Sequence, residues 1–140
     1  EDVLVRAAEL ARAHGFKRLK LYMMLGLPSE TEEDIDELAA FALHLRSYAA
    51  VSLSIAPFVS KRNTPLSGEP YAGIKTVERR ISRLKKALRG RVTIRPTSAR
   101  WAWVEHRLAQ AGPEAADAAI KATRDGGTYA DWRRAFSSNA

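Results

Sequence analysis

Residues 19–34, LKLYMMLGLPSETEED, decide the fold of this chain. An apolar run ends at Gly26-Leu27-Pro28, and a cluster of carboxylates follows at once. Gly26 lets the backbone turn without a Cβ in the way, and Pro28 cannot extend a central strand. The apolar run predicts a strand over 17–25 that is covered on both faces, as parallel strands usually are. The carboxylates predict the start of a helix.

The acidic residues have a structural explanation as the first turn of that helix. Ser29 with Glu32, and Thr31 with Asp34, both fit the capping-box spacing. Carboxylates in a first turn also interact favourably with the helix dipole. They would repel a bound phosphate, so the sequence does not predict a phosphate site at this helix start.

Outward from this corner, helix and strand patterns alternate. We expect helices over 2–14 and 31–47, strands over 17–25, 51–57 and 91–96, and a basic helix capped by Thr76 and ended by Gly90. This order predicts a parallel sheet with right-handed crossovers. After Pro96 the pattern is all helical, with helices expected over 98–111, 113–124 and 128–137.

Composition excludes several classes of protein. The 140 residues are 46% hydrophobic and 28% charged, which is typical of a globular chain. No apolar stretch is long enough to cross a membrane, and the first residues resemble an amphipathic helix rather than a signal peptide, so we expect no membrane contact and a cytoplasmic location. There is no cysteine, so the chain has no thiolate for catalysis or for an iron–sulfur cluster. No motif assigns a catalytic or metal-binding residue.

The net charge of +7 is concentrated in one segment. Between Lys75 and Arg95 there are nine basic residues and one acidic residue, and the rest of the chain is close to neutral. Such a patch could bind RNA. It could equally be the solvated face of one helix, because Val77, Ile81, Leu84 and Leu88 form an apolar stripe at helical spacing. The residues leave both explanations open.

Two segments resemble the radical S-adenosylmethionine (SAM) enzymes. LKLYMMLGLPSETEEDIDELAAFA, residues 19–42, is similar to their fifth-strand region, in which an apolar strand ends in G-x-P-x-E-T before an acidic helix start. VSLSIAPFVSKRNTPLSGEP, residues 51–70, is similar to the sixth strand of the branch with an N-terminal cobalamin-binding-like domain, whose members carry S-x-x-P-F-x-P-K-x-x-T-P. Ser60 stands where that branch usually has proline. The helical tail resembles the same branch.

The resemblance implies an α/β fold. It would be a partial TIM-type barrel of about three parallel strands with helices over residues 1–97, followed by an all-helical C-terminal extension over 98–140. In such enzymes a C-x-x-x-C-x-x-C motif holds an iron–sulfur cluster that reduces SAM to a 5′-deoxyadenosyl radical. By position, the resemblance assigns seven residues to the adenine side of the SAM site: Met24, Gly26, Pro28, Glu30, Ile55, Ala56 and Pro57. Lys61 and Arg62, in the next loop, either meet an anionic substrate at the rim or are simply solvated.

The cluster cysteines and the first four strands are missing, since a full barrel needs about 250 residues. We therefore expect the C-terminal part of a radical SAM enzyme, which alone is inactive and binds neither SAM nor a cluster firmly. Its expected partners are the N-terminal part of the barrel, an unknown substrate and, through an exposed strand edge, a second copy. The alternatives are a small basic α/β module that binds RNA through Lys75–Arg95 and a scaffold whose parent has lost catalysis.

Overall fold

The computed structural model describes residues 1–137, which form six helices and three strands. In chain order these are α1 (Asp2–Ala13), β1 (Arg18–Leu25), α2 (Glu32–Leu45), β2 (Ala50–Pro57), α3 (Ile74–Leu88), β3 (Thr93–Pro96), α4 (Ala99–Gln110), α5 (Ala115–Arg124) and α6 (Tyr129–Ser137). The predicted elements are confirmed, and apart from the start of α3 their ends differ from the prediction by at most two residues.

The predicted N-cap of α3, Thr76, is wrong. Gly73, at φ 92°, is the N-cap, so Thr76 lies within the first turn and does not cap the helix as predicted. The turn that begins α3 needs a left-handed residue, which glycine provides without strain. At the other end, Arg89 and Gly90 both have positive φ and stop the helix, as predicted for Gly90.

The three strands form one parallel sheet in the order β1-β2-β3, with β2 in the centre. Met23 of β1 lies opposite Ile55 of β2, and Ile55 lies opposite Pro96 of β3. The carboxyl ends of all three strands therefore meet at one edge, where α/β folds usually bind their ligands.

One face of the sheet is covered and the other is bare. Leu25, Leu53 and Ile55 are at most 1% exposed and pack in one core with residues of α1, α2 and α3. On the opposite face Tyr22 is 74% exposed and Met24 is 52% exposed. The prediction that β1 is covered on both faces is therefore wrong. Its residues alternate between the two environments, and the apolar but exposed Tyr22 and Met24 hide that alternation in the sequence.

The last three helices form a second, smaller core. Trp103 of α4 contacts the rings of Tyr129 and Phe136 edge-on, at centroid distances of 5.8 and 6.0 Å. Ala99, at the start of α4, is buried in the first core, so this helix joins the extension to the α/β part. No helix within residues 1–137 combines the length and the apolar character that a membrane crossing requires.

Candidate functional site

A cavity of about 600 Å³ opens on the bare face, over the carboxyl-terminal halves of the three strands. Three consecutive residues of each strand region line it: Tyr22–Met24, Ser54–Ala56 and Arg95–Thr97. The sheet register aligns these triplets side by side. Arg95 is the charged member of an otherwise uncharged lining. This bare-face cavity could take a largely apolar ligand that carries a polar or anionic group.

Three of the seven residues that the sequence assigned to the adenine side line this cavity: Met24, Ile55 and Ala56. The side chain of Ile55 is 1% exposed and packs toward the helices, so Ile55 contributes backbone to the wall. Its carbonyl oxygen accepts a hydrogen bond from the backbone N–H of Thr97, at 2.8 Å. Of these three residues, Met24 and Ala56 contribute side chains to the cavity wall.

The other four assigned residues lie outside the cavity lining. Gly26, Pro28 and Glu30 belong to the turn after β1, and Pro57 is the buried last residue of β2. Sequence reasoning missed most of the lining, including Tyr22 and Arg95. A period-two interpretation of β1 places Tyr22 on the same face as Met24, but it does not show which face the helices leave open.

The turn after β1 is held by hydrogen bonds to Glu30. Gly26 has φ 86°, and its N–H donates to Oε2 of Glu30 at 2.7 Å. A Cβ built on Gly26 would lie 3.1 Å from the Cβ of Ala72, so both the conformation and the space favour glycine. Glu30 thus shapes the end of the strand that carries Met24, although its own side chain does not reach the cavity lining.

Glu30 is also half of a buried ion pair. Nη1 of Arg80, in α3, lies 2.6 Å from Oε2 of Glu30, and the two side chains are 9% and 8% exposed. The second guanidinium nitrogen of Arg80 donates to the backbone carbonyl of Glu30. Because one arginine engages both the side chain and the backbone of Glu30, α3 fixes the position of the turn.

Further ion pairs join α2 and α3. Arg83 donates to both carboxylate oxygens of Asp36, at 2.7 and 2.6 Å, and this guanidinium lowers the pKa of Asp36. Arg79 donates to Oε1 of Glu32 at 3.3 Å. Three arginines of the basic segment Lys75–Arg95, counting Arg80, are therefore matched by carboxylates of the acidic segment Glu30–Asp36. Three of the nine basic residues that suggested RNA binding are thus paired within the fold.

Thr31 is the N-cap of α2. Its Oγ1 accepts a hydrogen bond from the N–H of Asp34, and the carboxylate of Asp34 accepts one from the N–H of Thr31 at 2.7 Å. These bonds to Thr31 lower the pKa of Asp34. Of the two predicted capping boxes, the one of Thr31 and Asp34 is confirmed, and Ser29 instead takes a left-handed φ of 64° in the turn.

The two predicted rim cations both contact α4. Lys61 forms an ion pair with Glu105, and Nη2 of Arg62 donates to the backbone carbonyl of Gln110 at 2.7 Å. Each would have to exchange this contact to meet a substrate.

Ser60 stands where the similar radical SAM branch usually has proline, and it has a structural role in this fold. It is 1% exposed, and its hydroxyl donates to the carbonyl of Glu69 at 2.7 Å. Gln110 donates back to the carbonyl and hydroxyl oxygens of Ser60, at 2.8 and 2.9 Å. The serine ties the loop after β2 to α4 in a way that proline could not.

Tyr71 should ionise late in an alkaline titration. Its hydroxyl donates to the carbonyl of Ala99 at 2.8 Å, and burial, followed by the nearby charge of Glu78, raises its pKa to about 12. In the unfolded chain the pKa is about 10. Protonated Tyr71 therefore makes its full contribution to the stability of the folded chain below about pH 10. That contribution is lost as the pH rises through the pKa of Tyr71 in the folded state.

Near-ultraviolet absorbance of the phenolate measures this titration. We expect Tyr71→Phe to remove the most alkaline step and to flatten the loss of stability above about pH 10. If the most alkaline step persists in the variant, the assignment to Tyr71 is wrong.

Comparison with known proteins shows one partial likeness. An uncharacterized protein of Methanocaldococcus jannaschii is 31% identical to this chain over 90 residues. The match covers 64% of this chain and 20% of that relative, so the chain spans about a fifth of the relative's length. No family profile and no solved structure matches the chain. Within residues 1–137, no group of three or more His, Cys, Asp or Glu side chains is placed to hold a metal ion.

Proposed function

We propose that this chain is the C-terminal part of a radical SAM enzyme and that its bare-face cavity forms the adenine side of the SAM site. The observation that carries the proposal is the position of that cavity. It lies at the carboxyl halves of parallel strands, on the face opposite to the helices. A TIM-type barrel has the same arrangement, with helices outside and the ligand at the carboxyl ends of the strands.

The one-sided core supports a barrel over a doubly wound sheet. In a doubly wound fold, helices cover both faces of the sheet. Here α1, α2 and α3 share a single core with the same face. The second face of the sheet, which carries Tyr22, Met24 and Ala56, would become the interior of the closed barrel. The relative's greater length is compatible with a parent protein large enough to supply the other strands.

The lining fits an adenine. A neutral purine needs flat apolar walls and a few polar groups, and Met24, Ala56 and Pro96 supply such walls. Gly26, Pro28 and Glu30 would not contact the adenine; they would position the wall by fixing where β1 ends. SAM bound beside a reduced cluster supplies the radical in such enzymes. The cluster cysteines must come from elsewhere in the parent, because this chain has none.

The loop after β2 is the part of the proposed site that would face the substrate. Lys61 and Arg62 remain candidates for contact with an anionic substrate at the rim. Their contacts with Glu105 and Gln110 would hold the loop until the substrate arrives. By itself the chain is proposed to be catalytically inactive.

The coding DNA upstream of Glu1 tests the proposal. We expect an in-frame extension of roughly 150 codons or more that encodes C-x-x-x-C-x-x-C, since a barrel needs about 250 residues. A start codon directly before Glu1, or a long extension without those cysteines, would overturn the radical SAM proposal.

A variant of the extended protein then tests the site. Ala56→Phe would fill the cavity, and we expect it to weaken SAM binding at least tenfold, or about 1.4 kcal/mol. Ala116→Phe, on the exposed side of α5, is the matched control and should leave binding unchanged. Equal SAM affinity in both variants would place the adenine outside the bare-face cavity.

A further inference from the structure

A second concave surface lies between α3, α4 and α6. It is a groove of about 710 Å³ whose lining includes Lys75 of α3, Arg100 of α4 and Arg133 of α6. Glu78 is the acidic member of the lining, and Tyr129 forms part of the wall. This groove shares no lining residue with the bare-face cavity, so a ligand bound here is independent of the proposed function.

Within the described part of the chain, three cations of this groove lack the carboxylate partners that the arginines between α2 and α3 have. Arg79, Arg80 and Arg83 each have a carboxylate partner. Among residues 1–137, no carboxylate forms an ion pair with the groove's Lys75, Arg100 or Arg133. These cations come from three different helices, which argues against the chance spacing of charges along one solvated helix face.

Tyr129 holds one of these cations in place. The guanidinium carbon of Arg100 lies 5.7 Å from the centre of the Tyr129 ring, within the range of a cation–π contact. Tyr129 is in turn fixed by the edge-on contact with Trp103, at 5.8 Å. Arg100 is therefore partly ordered before any ligand binds, which lowers the entropic cost of using it.

We infer that the groove between α3, α4 and α6 binds a small phosphorylated ligand through Lys75, Arg100 and Arg133. Arginine suits phosphate because its planar fork donates two parallel hydrogen bonds, and lysine adds a compact charge. Four cations and one carboxylate, Glu78, line the groove, and the fourth cation, Arg134, is paired with Asp131. The three remaining cations outnumber Glu78 and leave the groove positive. The volume is in the range of small-molecule sites, which favours a free organic phosphate or pyrophosphate group over a polymer.

Calorimetric titration of the whole chain with inorganic pyrophosphate tests this site. We expect saturable binding with a Kd below about 1 mM that weakens as salt is added. Arg133→Ala and Arg100→Ala should each raise the Kd about tenfold, since each removes a charge-assisted contact. Arg12→Ala, on α1, changes the net charge by the same amount away from the groove and should leave the Kd unchanged.

Several results would overturn the inference. They are the absence of saturable binding, an equal effect of Arg12→Ala, or an RNA oligonucleotide that binds far more tightly than pyrophosphate with a steep dependence on salt. Circular dichroism checks that each variant is folded. If Arg100→Ala is not folded, Lys75→Ala takes its place, because Lys75 is exposed and contributes charge alone.

Discussion

Replacing Glu30 by alanine should lower the free energy of unfolding by about 3–5 kcal/mol, as expected when one partner of a buried ion pair is removed. The guanidinium of Arg80 would stay buried and lose its close carboxylate partner, keeping only the longer 3.4 Å contact with Glu32. The N–H of Gly26 would lose its acceptor in the same step. Both losses fall on the turn that ends β1, so the variant should also disturb the strand end beside the bare-face cavity.

Denaturant unfolding, with folding followed by circular dichroism, measures this change. Glu33→Ala is the matched control, since Glu33 is an exposed carboxylate of the same acidic segment, and its effect should stay within about 0.5 kcal/mol. Arg80→Met, made both in the original sequence and in the Glu30→Ala variant, completes a double-mutant cycle for the pair. If Glu30→Ala and Glu33→Ala have the same effect, the buried pair does not hold the turn.

Replacing Leu53 by alanine should lower the free energy of unfolding by about 2–5 kcal/mol, the usual range for a buried leucine. Leu53 is 0% exposed in the central strand and faces the helices. Met24 is 52% exposed on the bare face of the neighbouring strand, so Met24→Ala should change the stability by no more than about 0.5 kcal/mol. The contrast between these two apolar residues is a direct test of the one-sided core.

Thermal and denaturant unfolding of the two variants, at several protein concentrations, distinguishes the outcomes. A large loss in Met24→Ala that grows with protein concentration would mean that a second copy covers the bare face. A small loss in Leu53→Ala would mean that the core does not lie between the sheet and α1–α3.

The order of elements was predictable because local signals agree with the final fold. Gly26 and Pro28 end β1, and Thr31 with Asp34 begins α2, so the corner is specified by neighbouring residues in the sequence. The helix with the strongest apolar stripe, α3, also buries the predicted residues Val77, Ile81, Leu84 and Leu88. Its start was predicted wrongly because Gly73, rather than a hydroxyl side chain, makes the turn.

The candidate site was predictable only in part. The resemblance assigned Met24 and Ala56 to the site, and the register brings them opposite each other. Arg95 and Tyr22 were missed because the lining depends on which face the helices leave open, and that is decided by packing across the whole sheet. The partner of Glu30 is 50 residues away in the chain, and no local pattern links it to Arg80.

The alternation along β1 restricts how the length of this strand can change during evolution. Deleting one residue at the start of Arg18–Leu25, before Lys20, would exchange the faces of the residues that follow, which would turn Lys20 and Tyr22 toward the helices and Leu21 and Met23 toward the bare face. No single substitution moves so many side chains at once. Insertions and deletions in descendants of this sequence should therefore accumulate in the loops, while β1 keeps its length.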